Sequence, residues 1–249
     1  MTLSGLSFDW FFSQLHPLHP GFWLLLSFLI SGLSLAGTRL IPRRFARPLR
    51  LGRWFFVPYL GLIIGGLSPR LMGLTDIDWV ASLGLGVGLI FAIWLLLLLV
   101  RASLHREESV GVPQPSARPL LAEFVWAGAQ EFHWVFLRGA LWEMLLALPA
   151  PPELPGYWAI WLASALALPG IFVQYRQTSR RIAAGLLLCT TAILFFYTRN
   201  FFLCWLLHAS AGWLIDQTRT QAEQPGVRTA EAPTTQTPAQ PSMQKVQQR

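Results

Sequence analysis

The stretch Ala129-Gln130-Glu131-Phe132-His133-Trp134-Val135-Phe136-Leu137-Arg138-Gly139 sets a glutamate, a histidine and an arginine within eight residues. It lies inside an apolar segment, from about Pro119 to Leu148, that is long enough to cross a bilayer as a helix. Each charged residue at the centre of such a helix costs roughly 2.5–3.5 kcal/mol. A chain carries that load where the groups pair, bind something or line a wet cavity. The cluster is therefore the candidate site, and the flanking segments are read for what faces it.

Composition agrees with a membrane setting. Of 249 residues 53% are hydrophobic and only 12% charged, against about 25% charged in a soluble domain. Mean hydropathy is positive, and Trp and Phe are abundant at 12 and 17 residues. The net charge of +7 does not point to nucleic acid. Nearly all the Lys and Arg lie between apolar segments, as the positive-inside rule places them. Cys189 and Cys204 fall within apolar segments and imply no disulfide framework. No secretory signal is expected, because the first fifteen residues lack a basic region and Asp9 interrupts their apolar run.

Upstream of the cluster, Met1 to His19 reads as an interfacial lead-in with Phe8, Trp10, Phe11 and Phe12 as headgroup-level anchors. A first span is expected from about Gly21 to Leu40. An Arg-dense loop holding Arg39, Arg43, Arg44, Arg47, Arg50 and Arg53 follows. The second span runs from about Trp54 to Leu71 and the third from about Trp79 to Val100, separated by an acidic turn, Thr75 to Asp78. Gly61 and Gly65, and again Gly84 and Gly88, have the four-residue spacing that lets a second helix come close. A polar linker, Arg101 to Arg118, leads into the fourth span.

Downstream, Pro149 to Pro155 is a helix-breaking turn. The fifth span, about Gly156 to Tyr175, contains Pro169-Gly170 and is expected to kink. The sixth covers about Ile182 to Thr198 and the seventh about Phe201 to Ile215, both short for a bilayer crossing. The tail from Asp216 to Arg249 is rich in Gln, Thr, Pro and Ala and is expected to be disordered. The fold expected is an all-α polytopic bundle of about seven spans. With the N-terminus outside and the C-terminus inside, only Arg70 and Arg199 of the loop cations fall outside.

Glu131 and Arg138 are two helical turns apart and share a face, with Trp134 between them. Direct contact requires their long side chains to lean together, so each is expected to have a partner on another helix. His133 points about 160° away from Glu131 around the axis. Glu123 and Glu143, near the two ends of the span, read as ordinary interfacial carboxylates. In the seventh span Asn200, Cys204, His208 and Gly212 form one slowly rotating stripe. His208 is the one titratable group of that segment apart from Cys204, at a depth similar to that of Arg138. Asn200 is a further polar candidate.

His133-Trp134-Val135-Phe136-Leu137-Arg138-Gly139, followed in a later helix by His208-Ala209-Ser210-Ala211-Gly212, resembles the CPBP family (CAAX protease and bacteriocin-processing) of intramembrane metalloproteases. That family carries two Glu, three residues and Arg-Gly in one helix, and His-x-x-x-Asn in a later one. The likeness covers about Pro119 to Ile215. It implies that Glu and two His hold a metal or its activated water, with Asn helping to stabilise the oxyanion. Here the Glu pair is replaced by His133-Trp134, with Glu131 two residues upstream, and the final Asn is Gly212. The family's middle Phe-x-x-x-His has no counterpart, since residues 156–198 contain no histidine.

The resemblance implies a zinc site that this chain could build only from Glu131, His133 and His208, with Arg138 beside it. Three protein ligands and an open position are typical of catalytic zinc. The expected role is that of a CPBP-like scaffold or binding protein in a prokaryotic cell membrane. Its partners would be membrane lipids and a membrane-embedded peptide or protein. The alternatives are an active metalloendopeptidase cleaving membrane-embedded or prenylated peptides, and a small transporter or lipid-binding bundle. No internal repeat supports a transporter.

Overall fold

The computed structural model describes residues 15–37, 43–107, 120–175 and 177–222. Within them the chain forms seven helices: α1 (Pro20–Gly37), α2 (Arg43–Ile64), α3 (Trp79–Glu107), α4 (Leu120–Leu146), α5 (Pro155–Gln174), α6 (Thr178–Thr198) and α7 (Phe201–Ala222). Most of the expected interfacial segment, most of the linker before α4 and the tail beyond Ala222 lie outside the described residues.

The termini follow from local chemistry. Pro155 opens α5 at a position whose backbone N–H needs no partner. Asp78 caps α3, its Oδ1 accepting the Ala81 N–H at 3.0 Å. Arg199 ends α6 in the left-handed conformation (φ 47°), its N–H donating to the Phe195 carbonyl at 2.8 Å.

Three helices differ in extent from the apolar segments. α2 begins at Arg43, so Arg43, Arg44, Arg47, Arg50 and Arg53, expected in a loop, lie on this helix, while Arg39 lies outside the described residues. α6 begins at Thr178 and α7 runs past Asp216 to Ala222. Hydropathy marks what a bilayer would solvate, whereas Arg, Gln and Ala continue a helical ladder readily in water. At 21 residues α6 is long enough to cross a bilayer of roughly 30 Å at 1.5 Å per residue, whereas the apolar part of α7 stays short, at Phe201–Ile215. Pro169 sits inside α5, which remains one element through it.

α4 is the axis of the bundle. It packs against α1, α2, α5 and α7, while α3 lies outside and touches α6 and α7. The turn between α2 and α3 does not stay on the surface. Leu67 and Met72 are buried there, Met72 lies against Gly139 of α4, and the Gly73 carbonyl accepts the Phe201 N–H at 3.0 Å. Glu143 accepts the Ser68 N–H at 3.1 Å and so ties the turn to α4.

Polarity is distributed with charge inside and large apolar side chains outside, consistent with a membrane setting. Glu131 and Arg138 are fully buried, while Val80, Phe91, Leu96 and Leu121 are largely exposed. By length and composition three segments can cross a membrane: Trp79–Leu99, Pro155–Gln174 and Arg180–Thr198. Pro20–Leu33, Trp54–Ile64 and Phe201–Ile215 are shorter apolar stretches.

Of the glycine pairs only Gly61 acts as a close contact: a Cβ there would meet the Leu67 side chain and come within 3.1 Å of the Trp23 ring of α1. Gly65 (φ 83°) follows the end of α2, and a side chain at Gly84 or Gly88 would meet open space. A further close approach falls at Gly128 of α4, where a Cβ would come within 2.8 Å of the Trp205 indole nitrogen. That indole donates to the Phe124 carbonyl at 2.8 Å, so it cannot yield without losing a hydrogen bond. Gly128→Ala is expected to destabilise the protein by about 1–3 kcal/mol. Gly88→Ala should be neutral or stabilising. Thermal unfolding of the two variants in detergent checks the contrast.

Candidate functional site

Midway along α4 the two-turn repeat brings Glu131 and Arg138 onto one stripe, and both are fully buried. Their side chains lean together: Arg138 Nη1 donates to Glu131 Oε1 at 2.9 Å. The expectation that each needs a partner on another helix also holds. Arg138 Nη2 donates to Thr191 Oγ1 of α6 at 3.0 Å, and Glu131 Oε2 lies 3.0 Å from His208 Nδ1 of α7. The carboxylate, already paired with a cation, is the acceptor, so Nδ1 carries the hydrogen.

Aromatic rings close the network. Trp134, one turn along α4 from Glu131, stacks on His208 with centroids 4.8 Å apart. The Arg138 guanidinium lies 5.4 Å from the centre of the Phe195 ring. Cys204 Sγ, also buried, donates to the Thr191 carbonyl at 3.5 Å and joins α7 to α6 beside the pair. Three helices thus meet at one buried salt bridge, whose two carboxylate oxygens are each engaged by a side chain.

The remaining candidates lie elsewhere. His133 is half-buried, on the side of α4 turned away from Glu131, with its ring 5.7 Å from that of Phe136. Asn200 is fully buried eight residues before His208, where its Oδ1 accepts the Phe202 and Leu203 N–H groups at 3.0 and 3.3 Å. Its Nδ2 donates to Ser82 Oγ of α3 at 3.2 Å. Asn200 is therefore the N-cap of α7 and a strut to α3, remote from the pair.

Among the described residues no three His, Cys, Asp or Glu side chains are placed to hold a metal ion. Zinc needs His133 beside Glu131 and His208, and a regular helix sends His133 the other way. The residues present do not fit the ligand set that the resemblance implies.

His208 also lines a small cavity of about 90 Å³ that opens toward the end of the bundle where α6 begins. Glu123, Trp126, Gln130, Tyr175 and Arg180 complete its polar wall. Glu123 is the residue that sequence reasoning passed over. Its Oε1 would lie 3.4 Å from a Cβ at Gly212, an ordinary contact, and Gly212 lines the same cavity. The signal was present: Gln130 follows Glu123 by seven residues, which sets both on one helical stripe beside Glu131.

Removing one partner of a buried pair strands the other charge. Glu131→Ala is expected to cost about 3–5 kcal/mol, whereas Glu131→Ala combined with Arg138→Met should cost less than the sum of the single changes. Unfolding midpoints of the four proteins of this cycle measure the coupling. Comparison of the chain with protein-family models, curated proteins and solved structures found no match.

Proposed function

We propose that this chain is a CPBP-like polytopic membrane protein that acts by binding and not by peptide hydrolysis. In this reading all seven helices are spans, with the N-terminus outside and the C-terminus inside. The cation bias supports that orientation: the first turns of α2 and α6 are Arg-rich, and the connections at the opposite end hold only Arg70 and Arg199. The cavity beside His208 then opens to the inner side.

One observation carries the binding role. Glu131, the one carboxylate near the family's catalytic position, spends one oxygen on Arg138 and the other on His208. A general base must present an acceptor to water, and a metal ligand must present a lone pair to the ion. Glu131 is also fully buried between these two partners and turns no acceptor to solvent, so in this reading it orients His208 and holds α4 to α7. The cavity is about three times the 30 Å³ that a water occupies in the liquid. It suits a small hydrogen-bonding group, such as the end of a membrane-embedded peptide. Glu123, Gln130 and His208 offer it acceptors and donors together.

The metal content of detergent-purified protein tests this reading. No stoichiometric zinc is expected in wild type or in His208→Ala. One zinc per chain in wild type, lost in His208→Ala, would overturn it in favour of a metallopeptidase and justify a search for cleaved membrane substrates.

A further inference from the structure

A second cavity, of about 520 Å³, lies at the other end of the bundle, where α4 stops and α5 begins. Its size falls within the range of about 300–1,000 Å³ typical of ligand pockets. Leu71, Leu146, Ile160 and Phe196 give it an apolar wall, Trp142 and Tyr157 add amphipathic rings, and Arg70 and Arg199 are its charged residues. No acidic side chain lines it. We infer that this cavity binds the anionic head group of a membrane lipid, with the upper acyl chain against the apolar wall.

The connections at this end, residues 65–78, 147–154 and 199–200, contain just two Lys or Arg residues, and both line this one cavity.

The two arginines are also preorganised. Arg199 is fixed by its left-handed backbone, and its guanidinium lies 4.5 Å from the Trp142 ring centre. A guanidinium held on a ring keeps its N–H donors in its own plane, free to fork onto phosphate oxygens. Gly73 packs so tightly on the Arg199 carbonyl that a Cβ there would lie 2.5 Å from it, which anchors the turn bearing Arg70 to the same rim. Arg70 pairs with Asp76 at 3.5 Å, but both side chains are mostly exposed. Such a pair is weak and screened, so Arg70 can exchange it for a phosphate.

The apolar rim favours a lipid over free phosphate. Leu146, Leu154, Tyr157 and Phe196 at the rim are all substantially exposed, which makes the cavity continuous with the apolar outer surface of the bundle. A soluble anion has no use for that wall.

The test is lipid retention. Protein is equilibrated in micelles with equal phosphatidylglycerol and phosphatidylcholine, and the lipid that stays bound is read by native mass spectrometry. Phosphatidylglycerol is expected to be retained about tenfold over phosphatidylcholine, the scale of one charge-assisted contact. Arg70→Gln combined with Arg199→Asn, chosen because Asn tolerates the left-handed backbone, should erase the preference. Asp76→Asn, which frees Arg70, should strengthen it severalfold, and millimolar inorganic phosphate should not displace the lipid. Equal retention of the two lipids would overturn the inference, as would an unchanged preference in the double variant or no gain in Asp76→Asn. Displacement by inorganic phosphate would reassign the cavity to a free anion. Should the double variant fail to fold, the Asp76→Asn result alone decides.

Discussion

Burying one carboxylate and one guanidinium at the middle of α4 is the constraint to which the bundle answers. Neither group can be left alone in a medium without water. Each reaches two partners: Glu131 finds Arg138 and His208, and Arg138 finds Glu131 and Thr191. The partners beyond α4 are His208 on its neighbour α7 and Thr191 on α6, which does not itself pack on α4, so the ion pair links three helices through side chains. Trp134 and Phe195 then exclude water from the pair by covering His208 and the guanidinium. The apolar residues, needing no partner, are free to face outward.

The two ends of the bundle are built differently. At one end the α2–α3 turn folds inward, held by Glu143 on Ser68 and by the Gly73 carbonyl on Phe201, and it seats Met72 against Gly139. This packing leaves a larger, mostly apolar cavity rimmed by two arginines. At the other end a smaller, polar cavity reaches to His208, with Glu123 in its wall. The buried ion pair lies between them, so the two cavities are chemically distinct sites and not one channel read twice.

Much of this was legible from the chain alone. The helical segments, the burden of charge on the fourth and the stripe on the seventh follow from hydropathy and from the 3.6-residue period. Helix ends were less legible, because α2 and α7 continue through polar residues that hydropathy does not count. The pairing of Glu131 directly with Arg138 depends on how two long side chains bend, which spacing cannot settle. Asn200 looked like a site residue because it shares a stripe with His208, yet its position before Phe201 made it an N-cap. The burial of the α2–α3 turn came from contacts distant in sequence, Ser68 with Glu143 and Gly73 with Phe201, and no local pattern reports such contacts.

The central claim is that Glu131 is committed to Arg138 and His208. Nitrogen-15 NMR of the His208 ring in micelles reads that commitment at the atom concerned. The account expects a protonated Nδ1 whose shift moves in Glu131→Gln, and ring nitrogens that stay unchanged when zinc is added. A ring nitrogen of His208 that shifts on zinc addition, or an Nδ1 indifferent to Glu131→Gln, would contradict it.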